Sequence, residues 1–232
     1  MNITGKLAER YFSSRVHLPG FLVQFLLNTY LEGRNLLDRT TGRLTTMKLE
    51  VGDEIAEKST ELMRVHYDLP LCLFSNILGG TMKYSTALWE QSVESLDEAQ
   101  ELMMRKVIKR AKIEDGHSVL DLGCGFGSLC RQILKDLPGC QVYGLTMSKT
   151  QADYIRDIMK REGDPLNTLR FKLIDGDMNN IKVGRKFDRI LSLGVFEHVA
   201  NLSKTLEKIK NHIREGGYSF HHFIVYRSHL QD

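Results

Sequence analysis

The chain has little of what marks several whole classes of protein. Its four cysteines, Cys72, Cys124, Cys130 and Cys140, form no CxxC pair and no metal-ligand spacing. That excludes a disulfide scaffold or a zinc module and predicts a reduced, cytoplasmic setting without a metal site. Neither sign of charge dominates: 32 Lys and Arg against 29 Asp and Glu leave a formal net charge of +3. Such an excess is too small to argue for nucleic acid, though it is compatible with peripheral contact at an anionic membrane. No apolar run is long enough to span a bilayer. The most apolar stretch, "FLVQFLLNTYL" at 21–31, is interrupted by Gln24 and Asn28 and falls well short of the roughly 20 residues a spanning helix needs. The first residues, "MNITGKLAERYF", carry no secretory-signal pattern. There is no internal repeat and no low-complexity segment.

What remains is an ordinary globular composition, 42% hydrophobic and 26% charged over 232 residues, enough to bury a substantial core. Residues 1–60 read as a helical N-terminal segment in which "GFLVQFLLNTYLEG" is the clearest helix, and residues 61–232 as the main domain. In "ESLDEAQELMMRKVIKRAKI" (94–113) a capping box, Ser95 with Glu98, precedes apolar residues at helical spacing, so a helix starts near Leu96. Beyond it, short apolar runs alternate with amphipathic stretches. Strands are predicted at 118–122, 141–146, 169–174, 187–193 and 217–225, and helices at about 127–136, 149–162 and 202–213. This alternation predicts an α/β fold: a mainly parallel sheet with helices on both faces.

The stretch "VLDLGCGFGSL" (119–129) sets Gly123, Gly125 and Gly127 between a buried strand and a helix. Glycines there allow a tight turn and let a ligand lie directly on the backbone. The dinucleotide fingerprint GxGxxG needs its third glycine at 128, where this chain has Ser128, and it needs an acid at the end of the second strand, where this chain has Thr146. Nicotinamide and flavin cofactors are therefore disfavoured. Asp121, just before the glycines, is placed to meet a cationic amine instead.

"LDLGCGFGSL" resembles the first motif of the class I S-adenosylmethionine-dependent methyltransferases, whose core is Rossmann-like. Taken in order, "HYDLP" (66–70), "MKYSTALWE" (82–90), "SLDEAQ" (95–100), "VYGLTMSKTQ" (142–151) and "GVFEHV" (194–199) resemble, more narrowly, the cyclopropane fatty acid synthase and mycolic acid cyclopropane synthase family. The resemblance covers about residues 61–226. It implies methyl transfer from S-adenosyl-L-methionine to the double bond of an unsaturated acyl chain, with ring closure or proton loss afterwards. By position it implies that Tyr84 and Ser85 touch the cofactor, that Gly123, Gly125 and Gly127 bear its amino-acid end and ribose, and that Leu145, Thr146, Met147 and Gln151 follow ribose and adenine. Asp177 and Met178 would bracket the adenine.

The end of the fourth strand carries "LSLGVFEHV" (191–199), which delivers Glu197 and His198 to the mouth where an open α/β sheet binds its ligand. In the fifth strand, residues two apart share a face, so His222 and Ile224 point one way while His221 and Phe223 point the other. The resemblance implies a bicarbonate ion held by Glu197, His222 and the main chain of Ile224, acting as base in a dry pocket. The aromatic residues Tyr67, Phe74, Tyr84, Trp89 and Phe196 suit an acyl pocket or an ordinary core, and core is the reading taken for each.

Two features depart from the family pattern. Thr86 stands where the family has Cys. The sequence also stops soon after the fifth strand, so two further strands and a bicarbonate-site tyrosine have no counterpart, and a truncated chain or a covered, dimerising edge is expected. A runner-up reading is a small-molecule N-methyltransferase of the plant coclaurine N-methyltransferase type, in which Glu197 and His198 take a proton from an attacking amine. Those enzymes tend to carry a second glutamate at the position of Gly194, which favours the lipid reading, whereas Thr86 leans toward the amine. A cofactor-binding chain without turnover is the non-enzymatic alternative.

Overall fold

The computed structural model describes residues 67–178 and 183–224. The expected helical segment 1–60 lies outside the described residues. Five strands, β1 (Ser118–Leu122), β2 (Gln141–Thr146), β3 (Phe171–Asp175), β4 (Phe187–Leu193) and β5 (Ile213–His222), form one sheet in the order β3-β2-β1-β4-β5, and every pairing is parallel. The chain builds outward from β1 to β3 on one side and through β4 to β5 on the other. The crevice at the carboxyl ends of β1 and β4 is therefore the topological switch point, where ligands bind in sheets of this kind.

The central strands are buried on both faces, as their continuous apolar runs require: all of β1 and all of β2 after Gln141 are buried. Alternate residues feed separate cores. Val119, Val142 and Leu191 meet Met104, Val107 and Ile108 of helix α2 (Leu96–Arg110), Leu129 and Ile133 of α3 (Ser128–Asp136), and Ile155 and Ile158 of α4 (Lys149–Ile158). Leu120, Leu122, Tyr143, Leu145 and Ile190 gather on the other face with Ile209 of α5 (Leu202–His212). A shift of one residue in any strand would exchange the two sets.

Local chemistry sets the helix starts. Ser95 Oγ accepts from Glu98 N at 3.3 Å while Glu98 Oε2 accepts from Ser95 N at 3.2 Å, the predicted capping box. Ser148 and Asn201 side chains accept from Gln151 N and Lys204 N at the starts of α4 and α5. Helix α1 (Leu71–Ile77) precedes them and is seated by rings: Phe74 lies 5.0 Å from Phe126 of the glycine turn and 5.2 Å from Tyr84, and Phe126 lies 5.3 Å from Tyr154. Edge-on and tilted contacts of this kind add about 0.5–1.5 kcal/mol each beyond area burial. They hold the segment 67–86 against the turn.

Three boundaries differ from expectation. Helix α4 ends at Ile158 rather than 162. Strand β3 begins at Phe171, because Leu169, though apolar, is 98% exposed. Strand β5 runs Ile213–His222 instead of 217–225, entering directly from α5 without a loop. "REGG" at 214–217 looks like a turn but is a bulge: the register with β4 jumps from Phe187↔Ile213 to Arg189↔Tyr218. Gly216 takes φ 73°, and a Cβ on Gly217 would lie 2.8 Å from Ile213 Cγ1 and 3.0 Å from two carbonyl oxygens. No described helix is long and apolar enough to cross a membrane.

Candidate active site

The glycine turn is tied to β2 by Cys124 N donating to Leu145 O at 2.8 Å. Its three glycines do different work. Gly123, at φ 77°, lets β1 end against the next wall, since a Cβ there would sit 2.5 Å from Val195 Cγ2. Gly125, at φ 59°, faces open space, with nothing within 4 Å of a Cβ built on it. Gly127 caps α3 in the left-handed conformation and backs onto Leu166 and Ile155. It is expected among the cofactor contacts, but it does not line the cleft, because its missing side chain makes room for the core.

The cleft above the turn has about 1090 Å³ of empty space, its solvent mouth included, ample for a ligand of cofactor size. Of the residues singled out from the sequence, Tyr84, Ser85, Asp121, Gly123, Gly125, Leu145, Thr146, Met147, Gln151, Asp177, Met178 and His198 line it. Thr146 Oγ1 donates to Gln151 Oε1 at 2.8 Å, and Ser148 Oγ donates to Asp68 Oδ1 at 2.8 Å and Tyr67 O at 3.1 Å. The Ser148 bonds join the loop after β2 to the segment that forms the opposite wall.

Two opposed charges are buried in this cleft. Asp121 is 3% exposed, and burial pushes its carboxyl up to about 7 against the opposing pull of the Cys130 thiol, 3.6 Å away, and of the Lys83 charge. Lys83 is also 3% exposed; burial lowers its amine to about 8, with Asp121 opposing. Its Nζ donates to Thr86 O at 2.7 Å and to Ser85 Oγ. The Cys130 thiol is pushed well up by its contact with Cys124, by burial and by Asp121, so it stays neutral.

The mouth is shaped by a 3-10 turn at Phe196–His198. His198 Nε2 lies 3.0 Å from the Tyr67 hydroxyl, with the rings edge to face at 6.1 Å. Burial, then Tyr84 and Glu197, hold the Tyr67 phenol above its ordinary value, so it stays protonated. Glu197 Oε1 accepts from Ile224 N at 2.8 Å. The structure thus joins Glu197 to the main chain of Ile224, although neither lines the cleft.

His222 does not line it either; its carbonyl accepts from Gly194 N at 2.9 Å. The shared-face expectation for His222 and Ile224 needs correction, because β5 ends at His222 and Ile224 lies past it. His221, which pairs with Ser192, places Nδ1 2.8 Å from Ser192 Oγ; the Phe196 ring packs 4.3 Å from His221 and 5.9 Å from Phe223, which like Ile224 lies past the end of the strand. Among the described residues no group of three or more His, Cys, Asp or Glu is arranged to hold a metal ion. Sequence reasoning missed Lys83 and passed over Tyr67 as core. The signal for Lys83 was its place just before Tyr84 and Ser85.

A parallel sheet with this order, a glycine turn after β1 and a cleft over the switch point define the class I S-adenosylmethionine-dependent methyltransferase fold. Residues 55–231 match the family described as mycolic acid cyclopropane synthetase, and the chain belongs to that family. It is 34% identical over 173 residues to pavine N-methyltransferase of Thalictrum flavum subsp. glaucum, covering 74% of this chain and 48% of that protein. It is 32% identical over 167 residues to a probable fatty acid methyltransferase of Pseudomonas putida, covering 71% and 41%. Among solved structures, coclaurine N-methyltransferase bound to N-methylheliamine and SAH superposes with a TM-score of 0.79 at 26% identity, over 100% of this chain and 69% of that one. A mycolic acid cyclopropane synthase complexed with SAH and CTAB gives 0.54 at 28%, over 60% and 47%. The chain spans about half the length of the curated relatives it matches.

Proposed function

We propose that the cleft binds S-adenosylmethionine and that the chain carries the catalytic core of an S-adenosylmethionine-dependent methyltransferase whose acceptor is a small-molecule amine. The residues fit that cofactor: the open space at Gly125 is a cradle that any side chain would fill, and Asp121 offers a carboxylate to a cationic amine. Gly123, Gly125, Tyr84 and Ser85 would hold its amino-acid end and ribose, and Thr146, Met147, Gln151, Asp177 and Met178 its ribose and adenine. When bound, S-adenosylmethionine supplies an electrophilic methyl group.

The observation that carries the amine reading is the Tyr67 and His198 pair, hydrogen bonded at the cleft mouth. A secondary amine that gains a methyl forms an ammonium that must shed a proton to leave as the tertiary amine. The Tyr67 hydroxyl can accept that proton while passing its own to His198 Nε2, the two being 3.0 Å apart. The plant N-methyltransferases among the relatives, and the coclaurine N-methyltransferase structure, support this reading.

Methylation of an acyl double bond with a bicarbonate base is the second reading. Gly194 favours it: at φ 68° and with open space around it, it provides no second carboxylate at the mouth, and the Pseudomonas putida relative is a probable fatty acid methyltransferase. Against it, the Ile224 N–H that would face the anion is already donated to Glu197. Label transfer from methyl-labelled S-adenosylmethionine, offered a cyclic secondary amine in parallel with unsaturated phospholipid vesicles, tests the choice. Label in the amine supports the proposal; label in the lipid alone overturns it in favour of the second reading.

A further inference from the structure

Lys83 belongs to no motif role identified above, yet it is as buried as Asp121 and lines the same cleft. The two side chains stand on different walls, Asp121 at the end of β1 and Lys83 on the segment that leads into α2. They feel each other's charge but form no ion pair. Opposite charges buried in one cavity without touching are costly unless something polar fills the gap. An ammonium has three N–H donors, and Lys83 directs one to Thr86 O and one to Ser85 Oγ. One donor remains.

The ligand that satisfies both walls at once is a zwitterion, with its ammonium toward Asp121 and its carboxylate toward Lys83. We infer that Lys83 is the residue that recognises the carboxylate of the ligand's α-amino-acid tail, so that it and Asp121 form a clamp selecting nucleosides that carry such a tail. The inference rests on the S-adenosylmethionine reading of the cleft. Ser85 Oγ and the Thr86 carbonyl hold the ammonium in place, which gives a structural reason for a short polar residue at 85.

The test is calorimetry on the 232-residue chain with three probes: S-adenosylhomocysteine, its decarboxylated analogue, and 5′-methylthioadenosine, which lacks the whole tail. The wild-type chain is expected to bind S-adenosylhomocysteine about 10- to 100-fold more tightly than the decarboxylated analogue, the range of one charge-assisted hydrogen bond. Lys83→Met should erase that preference while leaving methylthioadenosine affinity within about two-fold, and Lys83→Arg should keep part of it. Retained methylthioadenosine binding shows that the variant is folded. Equal affinity of the wild-type chain for S-adenosylhomocysteine and its decarboxylated analogue overturns the inference without any variant. So does an undiminished preference in Lys83→Met. If the wild-type chain binds none of the three, the cofactor reading itself falls and the clamp falls with it.

Discussion

A single methyl group added at Gly123 or at Gly125 has different consequences, although both residues sit in one turn with positive φ. At either position alanine must adopt the left-handed region, at about 1–2 kcal/mol. At Gly123 the new Cβ also meets Val195 Cγ2 at 2.5 Å, so Val195 and the loop after β4 must shift, and overpacking of that kind costs about 1–3 kcal/mol more. Gly123→Ala should therefore unfold at a temperature roughly 2–12 °C below Gly125→Ala, using about 2–4 °C per kcal/mol for a chain of this size. At Gly125 the Cβ meets no protein atom and projects into the cleft, so the loss appears in binding. S-adenosylhomocysteine affinity should fall about ten-fold. Thermal melts and calorimetric titrations on the two variants measure both effects. The reasoning is refuted if Gly125→Ala melts as low as Gly123→Ala, or if it binds the ligand as the wild-type chain does.

Tyr67→Phe keeps the ring but removes the hydroxyl that meets His198; methyl transfer to an amine should drop about 100-fold with S-adenosylhomocysteine binding held within about two-fold, by label transfer and calorimetry. Asp188 accepts from Ser118 N and Oγ and from Arg214 across β1, β4 and β5, and these bonds outweigh burial and bring its carboxyl down to about 2. Because that lies below the ordinary carboxylate value, its stabilisation is present above about pH 4 and is lost as pH falls toward 2; Asp188→Asn should remove about 1 kcal/mol of pH-dependent stability after allowance for screening, read from melts across pH 2–5. Ser95→Ala removes the capping oxygen of α2 and should destabilise the chain by about 1 kcal/mol in a denaturant titration.

The central sheet is legible in the sequence because burial on both faces writes itself as unbroken apolar runs. The predicted ranges for β1, β2 and β4 coincide with the observed strands. Strand β5 is less legible: its bulge is a property of its register with β4, and Arg214–Gly217 taken alone has the composition of a turn. In the site, the spacing of Gly123 and Gly125 identifies the cradle. The role of Gly127 depends on Leu166, nearly 40 residues away, and cannot be read from the motif. For Lys83 the sequence offers only its place beside Tyr84 and Ser85, and for Tyr67 not even that. Burial of one and the His198 contact of the other arise only when the segment 67–86 docks on Phe126. Alternation alone separates His221 from His222, but where the strand stops, and hence the place of Ile224, is set by pairing with Leu193.

The most direct test of the account is a calorimetric titration of the 232-residue chain with S-adenosylmethionine, alongside Gly125→Arg, whose side chain must enter the cleft. The account predicts one binding site per chain, lost in Gly125→Arg while the variant still melts cooperatively. Undiminished binding by Gly125→Arg, or no binding by the wild-type chain, would contradict it.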